Sequence, residues 1–371
     1  MTDGPRDQSG DEAAAVDGSH PGGLSSATPP GTVVVLPLHG LPEVREGADL
    51  AGLLVDAAGQ VGGLRDGDVL VVSSKVVSKA RGLREPAGEG REALVLRHAR
   101  RVVAERRTTT GTTRIVEAEA GPVMAAAGLD ASNTGPDGGV LVLPADPDRA
   151  AAVLRAEVVA LVPGIQRLGL VLSDTAGRPW RAGQTDLALG AAGVGVLDDL
   201  RSAVDADGRP LAVTARAVAD EIAAAADLVK GKVAQVPAAL LRGLDDVVPS
   251  ADAGASPGAR SLVRTGPGDW FALGHREAVR AALGAPPATA AAAAVGVPAA
   301  GPEEEPERGA RAVRLALLGH EEARVHGSPA SGYAVHAQDP VLAGRVAARL
   351  EVALVGEEIT ATVQVIPTPG G

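Results

Sequence analysis

Cysteine is absent from this chain, which removes a disulfide framework, a thiolate metal site and a thiol nucleophile. A reducing cytosol is compatible with that absence, and a cytoplasmic location is the expectation. Aromatic residues are almost as scarce, with two Trp, one Tyr and one Phe making 1% of 371 residues. Stacking a flat ring on Phe or Tyr is barely available, and a hydrophobic fraction of 45% must build its core from Ala, Val and Leu. Nor is there a run of about 18 strongly apolar residues to suggest a membrane span. Met1 to Glu12 lack the basic-then-apolar pattern of a signal segment, and the Ala tract near Ala288 is short and weakly hydrophobic. Positive charge is outweighed, 35 basic against 46 acidic residues, for a net charge of −11. That balance argues against a general nucleic-acid or anionic-membrane binder, with Arg100-Arg101 and Arg106-Arg107 as local exceptions. The seven histidines show no HExxH spacing. No Gly-x-Ser-x-Gly elbow, Gly-Lys-Ser/Thr phosphate loop or dinucleotide fingerprint stands in the required context.

What is present is a chain longer than one hydrophobic core usually serves, so one large catalytic unit with a smaller module is expected. Residues 1–30, rich in Gly, Asp, Ser and Pro, read as a disordered tail. Thr32 to Leu36 reads as the first strand, and Val69 to Val72, after the turn Asp66-Gly67-Asp68, as the second. Asp146-Pro147 reads as an N-cap with proline at the first helical position, opening a helix with Val153, Leu154, Val158 and Leu161 on one side. Leu168 to Leu172 and Leu211 to Val213 read as strands, and Val218 to Val229 as an Ala-rich helix. Strands and helices mix without strict alternation, which favours α+β over a doubly wound sheet. From 285 to 308 the chain is Ala/Pro-rich and then acidic at Glu303-Glu304-Glu305, the pattern of a linker. Residues 309–371 form a small α+β module with a helix over Ala310 to Leu318 and a strand-like end at Ile359 to Ile366. Trp270 and Phe271, in 260–284, are expected to pack on the larger unit.

Four places could carry chemistry. Asp174-Thr175 ends an apolar strand with a carboxylate and a hydroxyl, hard donors that suit Mg²⁺ or Mn²⁺. A turn or helix cap is the commoner use of such a pair. Asp130, in Gly128-Leu129-Asp130-Ala131-Ser132-Asn133, is open to the same two readings. Ser74 and Lys79 in Ser73-Ser74-Lys75-Val76-Val77-Ser78-Lys79 offer a hydroxyl and an ammonium to phosphate oxygens, against the alternative of a solvated lysine surface. Arg178 and Arg181 follow Asp174 closely and could hold an anionic substrate, or lie on the surface. Asp220-Glu221 suit a helix N-terminus, so a structural role is the default there.

Taken in order, Leu38-His39-Gly40-Leu41-Pro42, Ser74 to Lys79, Gly128 to Asn133 and Ser173 to Arg178 resemble the CofE/FbiB family of coenzyme F-420 glutamyl ligases. The similarity runs on through Asp186 to Gly190, Asp205 to Thr214, Ala219 to Ile222 and Pro237 to Gly243, roughly residues 32–245, and places a ligase domain over 31–284. Ser74 to Lys79 and Lys230-Gly231-Lys232 are similar to the actinobacterial FbiB branch. The resemblance implies a homodimer of α+β fold that uses GTP to activate the terminal carboxylate of coenzyme F-420-0 as an acyl phosphate, then joins it to L-glutamate. Mg²⁺ or Mn²⁺, with K⁺ as a further candidate ion, would accompany the nucleotide. By motif match, Asp130 and Asp174 would hold one metal and Thr175 would contribute to a second. Ser74, Lys79, Asn133, Gly231, Lys232 and the Leu41-Pro42-Glu43-Val44 loop would contact GTP.

Two departures stand out. Many archaeal members carry an acidic residue in a Gly-rich segment after the Ala-rich helix, whereas here Val229 to Gln235 has none, leaving Gln235 as a substitute ligand. The FbiB branch also carries a flavin-dependent reductase domain, for which the residues after the linker are too few, so that activity is expected to be absent. Two rival readings remain: a protein that kept the nucleotide pocket but lost ligation, and a ligase for a different carboxylate.

Overall fold

The computed structural model describes residues 31–367 except 87, 89, 133, 136–137, 202, 232–233, 251–256 and 267–268. The expected tail over 1–30, Asn133 and Lys232 therefore lie outside the described residues.

The centre is a five-stranded sheet in the order Val34–Pro37, Ala238–Arg242, Asp68–Ser73, Leu168–Arg178, Arg181–Ala192. Only Asp68–Ser73 and Leu168–Arg178 pair in parallel, and the other neighbours are antiparallel. The fold is accordingly α+β. Val, Leu and Ala fill both faces of the middle strands, the continuous apolar run of strands buried on two sides. Helices Leu50–Gly59 and Pro147–Leu161 cover one face. Val218–Asp227 covers the other through Val218, Ala219, Ile222, Ala223 and Ala226.

The helix Pro147–Leu161 starts as its sequence dictates. The Asp146 carboxylate accepts the Arg149 N–H at 3.1 Å, and Pro147 occupies the first turn. Its buried stripe is Ala151, Leu154 and Val158, at three- and four-residue spacing, while Val153 and Leu161 are exposed. The small Ala151 lets the helix approach the sheet, and that rotates the apolar stripe away from the expected one.

Other expectations shift too. The strand read at Leu168 to Leu172 continues to Arg178 and turns back as a long hairpin, so Ser173, Asp174 and Thr175 lie within the sheet. Leu211 to Val213 is no strand, and Val213 is 87% exposed; three apolar residues there have no partner strand to hydrogen-bond. A second sheet, Ala99–Thr108, Gly111–Ala118 and Val123–Ala125, has its own core of Leu94, Val116, Met124 and Leu189.

The stretch read as a linker is folded. Thr289 caps the helix Ala290–Val295, accepting the Ala292 N–H at 3.2 Å. Backbone bonds Arg107 N–H to Pro298 O and Ala300 N–H to Arg107 O, both 2.7 Å, lay the following residues along the edge of Ala99–Thr108. Beyond it, helices Glu305–Leu317 and Pro340–Gly356 pack on the sheet Arg324–Ser328, Gly332–His336, Val363–Val365. Trp270 and Phe271 do not pack on the larger core: they are 82% and 61% exposed. Arg264 lies over the Trp270 ring at 5.5 Å, and Phe271 meets Trp180 edge-on at 5.1 Å. A core of Ala, Val and Leu leaves these large rings outside. Among the described residues no helix is long and apolar enough to cross a membrane.

Candidate active site

A cleft of about 570 Å³ opens where Asp68–Ser73 passes into the helix Ser74–Ala80 and where the long hairpin leaves the central sheet. Polar side chains at strand ends are well placed to meet ligands. Leu41, Pro42, Glu43 and Val44 form one wall, Lys75 and Lys79 another, and Thr175, Gln184 and Asp186 the hairpin side. Lys230, Gly231 and Gln235 close it, with Gly231 and Val236 paired in a short bridge.

Each lysine here meets a carboxylate. Lys79 is buried and pairs with Glu43, whose side chain is half exposed. Lys75 Nζ lies 2.6 Å from Asp130 Oδ2 and 3.0 Å from the Ser132 carbonyl. Lys230 Nζ donates to Asp186 Oδ2 at 2.5 Å and to Ser173 Oγ at 2.6 Å, in an enclosed pair. Gly135 is needed beside Glu43 and Lys79: its φ is +81°, and a Cβ would stand 2.7 Å from Glu43 Oε1.

Asp130 and Asp174 differ in environment. The Asp130 carboxylate also accepts the Ser132 N–H and hydroxyl, each at 2.7 Å. Burial works against its charge, but Lys75 and Ser132 outweigh that and hold it below the ordinary carboxylate value. Asp174 keeps part of its surface open, yet dense protein surrounds it and it has no cation partner among the described residues. Burial first, then the charge of Asp186, push it up to about 6. Ser74 Oγ reaches it only as a long contact of 3.4 Å. A carboxylate held among carboxylates is a place that favours an added cation, and its hard oxygen donors fit Mg²⁺ or Mn²⁺. Among the described residues no three His, Asp or Glu side chains already form a metal cage.

Of the residues singled out from the sequence, Leu41, Pro42, Glu43, Val44, Lys79, Thr175 and Gly231 line the cleft. Ser74 is buried behind it, touching Asp174. Thr175 Oγ1 donates to Asp186 Oδ1 at 2.8 Å. Arg178 and Arg181 do not line the cleft; they are register partners at the hairpin end, flanking Trp180, which has φ 59° and is 84% exposed. Asp220 accepts the Ala188 N–H at 2.9 Å and Glu221 pairs with Arg216, structural contacts as expected. Asp186, Lys75 and Lys230 were not singled out as site residues. Asp186 could have been found from the hairpin, whose return strand sets it opposite Thr175. Lys230 gives no such local signal.

The family model described as F420-0:Gamma-glutamyl ligase matches residues 40–85 and 90–243. Over 250 residues the chain is 38% identical to the Coenzyme F420:L-glutamate ligase of Methanopyrus kandleri, covering 62% of this chain and 93% of that protein. It is 39% identical over 227 residues to the protein of the same name from Archaeoglobus fulgidus, covering 57% and 88%. With that of Halorubrum lacusprofundi it shares 39% over 213 residues, covering 52% and 80%. Every lysine–carboxylate pair of the cleft falls inside the matched span, and the chain belongs to the F420-0:gamma-glutamyl ligase family.

Proposed function

We propose that this protein joins L-glutamate to coenzyme F420-0 in a GTP-dependent ligation at the cleft. A carboxylate is a poor acyl donor at neutral pH, so it must first gain a leaving group. In the proposed sequence a carboxylate oxygen of the coenzyme attacks the γ-phosphorus of GTP, and GDP departs with the electron pair of the broken P–O bond. The glutamate amine then attacks the acyl carbon, loses a proton, and inorganic phosphate leaves. Further γ-linked glutamates could be added by the same two steps.

The protein's part is positioning and charge. Lys79 and Lys75 would meet phosphate oxygens, and the Leu41 to Val44 wall would hold the nucleotide. Asp174 and Asp130 would hold a divalent ion, which neutralises phosphate charge when bound. The observation that carries this reading is Asp174, a closely surrounded carboxylate without a cation partner among the described residues, beside a cleft lined by Lys75, Lys79 and Lys230.

The test is to incubate purified protein with GTP, Mn²⁺ or Mg²⁺, L-glutamate and coenzyme F420-0, and weigh the product. A mass gain of one glutamyl unit or more is expected, and it should vanish in Asp174→Asn with the fold intact. GTP binding without product under every metal condition would favour a nucleotide-binding protein that no longer ligates.

A further inference from the structure

Asp186 and Asp174 sit on neighbouring strands of one hairpin, yet their oxygens are served very differently. Asp186 Oδ1 accepts the Thr175 hydroxyl at 2.8 Å, and Oδ2 accepts the Ser173 hydroxyl at 2.8 Å and the Lys230 ammonium at 2.5 Å. Ser173 and Asp186 are buried, and the side chains of the ion pair Asp186 and Lys230 are only 4% and 5% exposed. An ammonium brings three donors and one positive charge on a flexible stem. Here that stem starts from a fixed point. The Lys230 N–H donates to the Ala226 carbonyl at the end of the helix Val218–Asp227, and the Gly231–Val236 bridge closes the turn behind it.

Lys230 is held by the Asp186 carboxylate and the Ser173 hydroxyl, with the Thr175 hydroxyl on the other carboxylate oxygen, and these are donors a small divalent ion would take. The loop that contributes the lysine, Val229 to Gln235, contains no acidic residue. We propose that Lys230 is the resident cation of this inner half of the cleft, standing where a second divalent ion would need Ser173, Thr175 and Asp186, so that the chain takes a single divalent ion, at Asp130 and Asp174. The inference rests on the metal reading of the proposed function. A second ion held by Ser173 and Asp186 Oδ2 would have to displace an enclosed ammonium, leaving that charge without its carboxylate, which is strongly unfavourable. The inner charge is thus covalently attached and independent of metal concentration.

The test counts ions rather than turnover. The full-length protein is titrated with Mn²⁺ alone, and free Mn²⁺ is read from its electron paramagnetic resonance signal, with circular dichroism confirming the fold of each variant. One Mn²⁺ per chain is expected for the natural protein and for Lys230→Arg, which keeps the charge. Two are expected for Lys230→Gln, returning to one when Asp186→Asn is added. Two ions in the natural protein, none in it, or one in a folded Lys230→Gln would overturn the proposal. If Lys230→Gln does not fold, the count for the natural protein decides. The ligation assay separates the two readings: product with two bound ions retains ligation and removes the role of Lys230, whereas one bound ion without product does the reverse.

Discussion

Asp174 and Asp186 sit on paired strands of one hairpin, and the charge of Asp186 helps to raise Asp174, while among the described residues Lys230 forms its ion pair with Asp186. The raised value has a definite consequence for stability. Between the ordinary 3.8 and about 6, native Asp174 retains a proton that the unfolded chain has lost. Stability from this group is therefore present at low pH and falls as pH rises through that window. In metal-free buffer Asp174→Asn should become more stable than the natural protein as pH climbs past about 6. Urea unfolding of both proteins across that range checks it, and parallel curves would show an ordinary carboxylate.

Lys79 is buried against the wall proposed to hold GTP, with Glu43 as its partner. Lys79→Met should weaken GTP binding by about tenfold or more, the effect of losing a charged hydrogen bond of roughly 1.5–3 kcal/mol. Calorimetric titration with GTP measures it. Unchanged affinity would remove Lys79 from the nucleotide contact.

Gly190 is required by close packing. A Cβ there would stand 2.2 Å from the Pro147 carbonyl oxygen, backbone of the helix Pro147–Leu161 that cannot easily yield. Gly190→Ala should cost about 1–3 kcal/mol, the range for overpacking. At Gly177 a Cβ meets nothing within 4 Å, so Gly177→Ala serves as the control in the same denaturation series.

Much of the fold could be read from local pattern. The Asp146-Pro147 helix start, the buried strands around Val71 and Leu170 and the helix after Ala217 each rest on neighbours in sequence. The site was readable only in part. Asp130, Asp174, Thr175 and Lys79 stood in motifs, whereas the Asp186–Lys230 pair joins residues 44 apart and exists only once the hairpin and the later loop have met. The extension of the hairpin through Ser173 to Thr175 was hidden for the same reason: its polar side chains are satisfied across strands, so no apolar alternation marks it. Glu303 reads as part of an acidic linker, but Arg311 draws its side chain into the interior.

That arginine supports a fourth prediction. Arg311 is 2% exposed and contacts Glu303 and Glu357, both also enclosed. Arg311→Ala would take from buried Glu357 its cation and leave Glu303 only the longer contacts to Arg107 at 3.7 Å and Arg276 at 4.0 Å, at a cost of about 3–5 kcal/mol. Urea unfolding should show that neutralising all three residues together costs less than removing the arginine alone.

The placement of the few aromatic rings also governs how such unfolding can be watched. Trp180, Trp270 and Phe271 lie at the surface, and Tyr333 is the sole aromatic side chain in the interior. The central sheet is therefore optically silent: indole emission reports the hairpin tip and the segment beside it, in water before and after denaturation. Collapse of the ligase core has to be followed by backbone circular dichroism or amide exchange, and a tryptophan signal that moves on adding a ligand identifies an event at that rim.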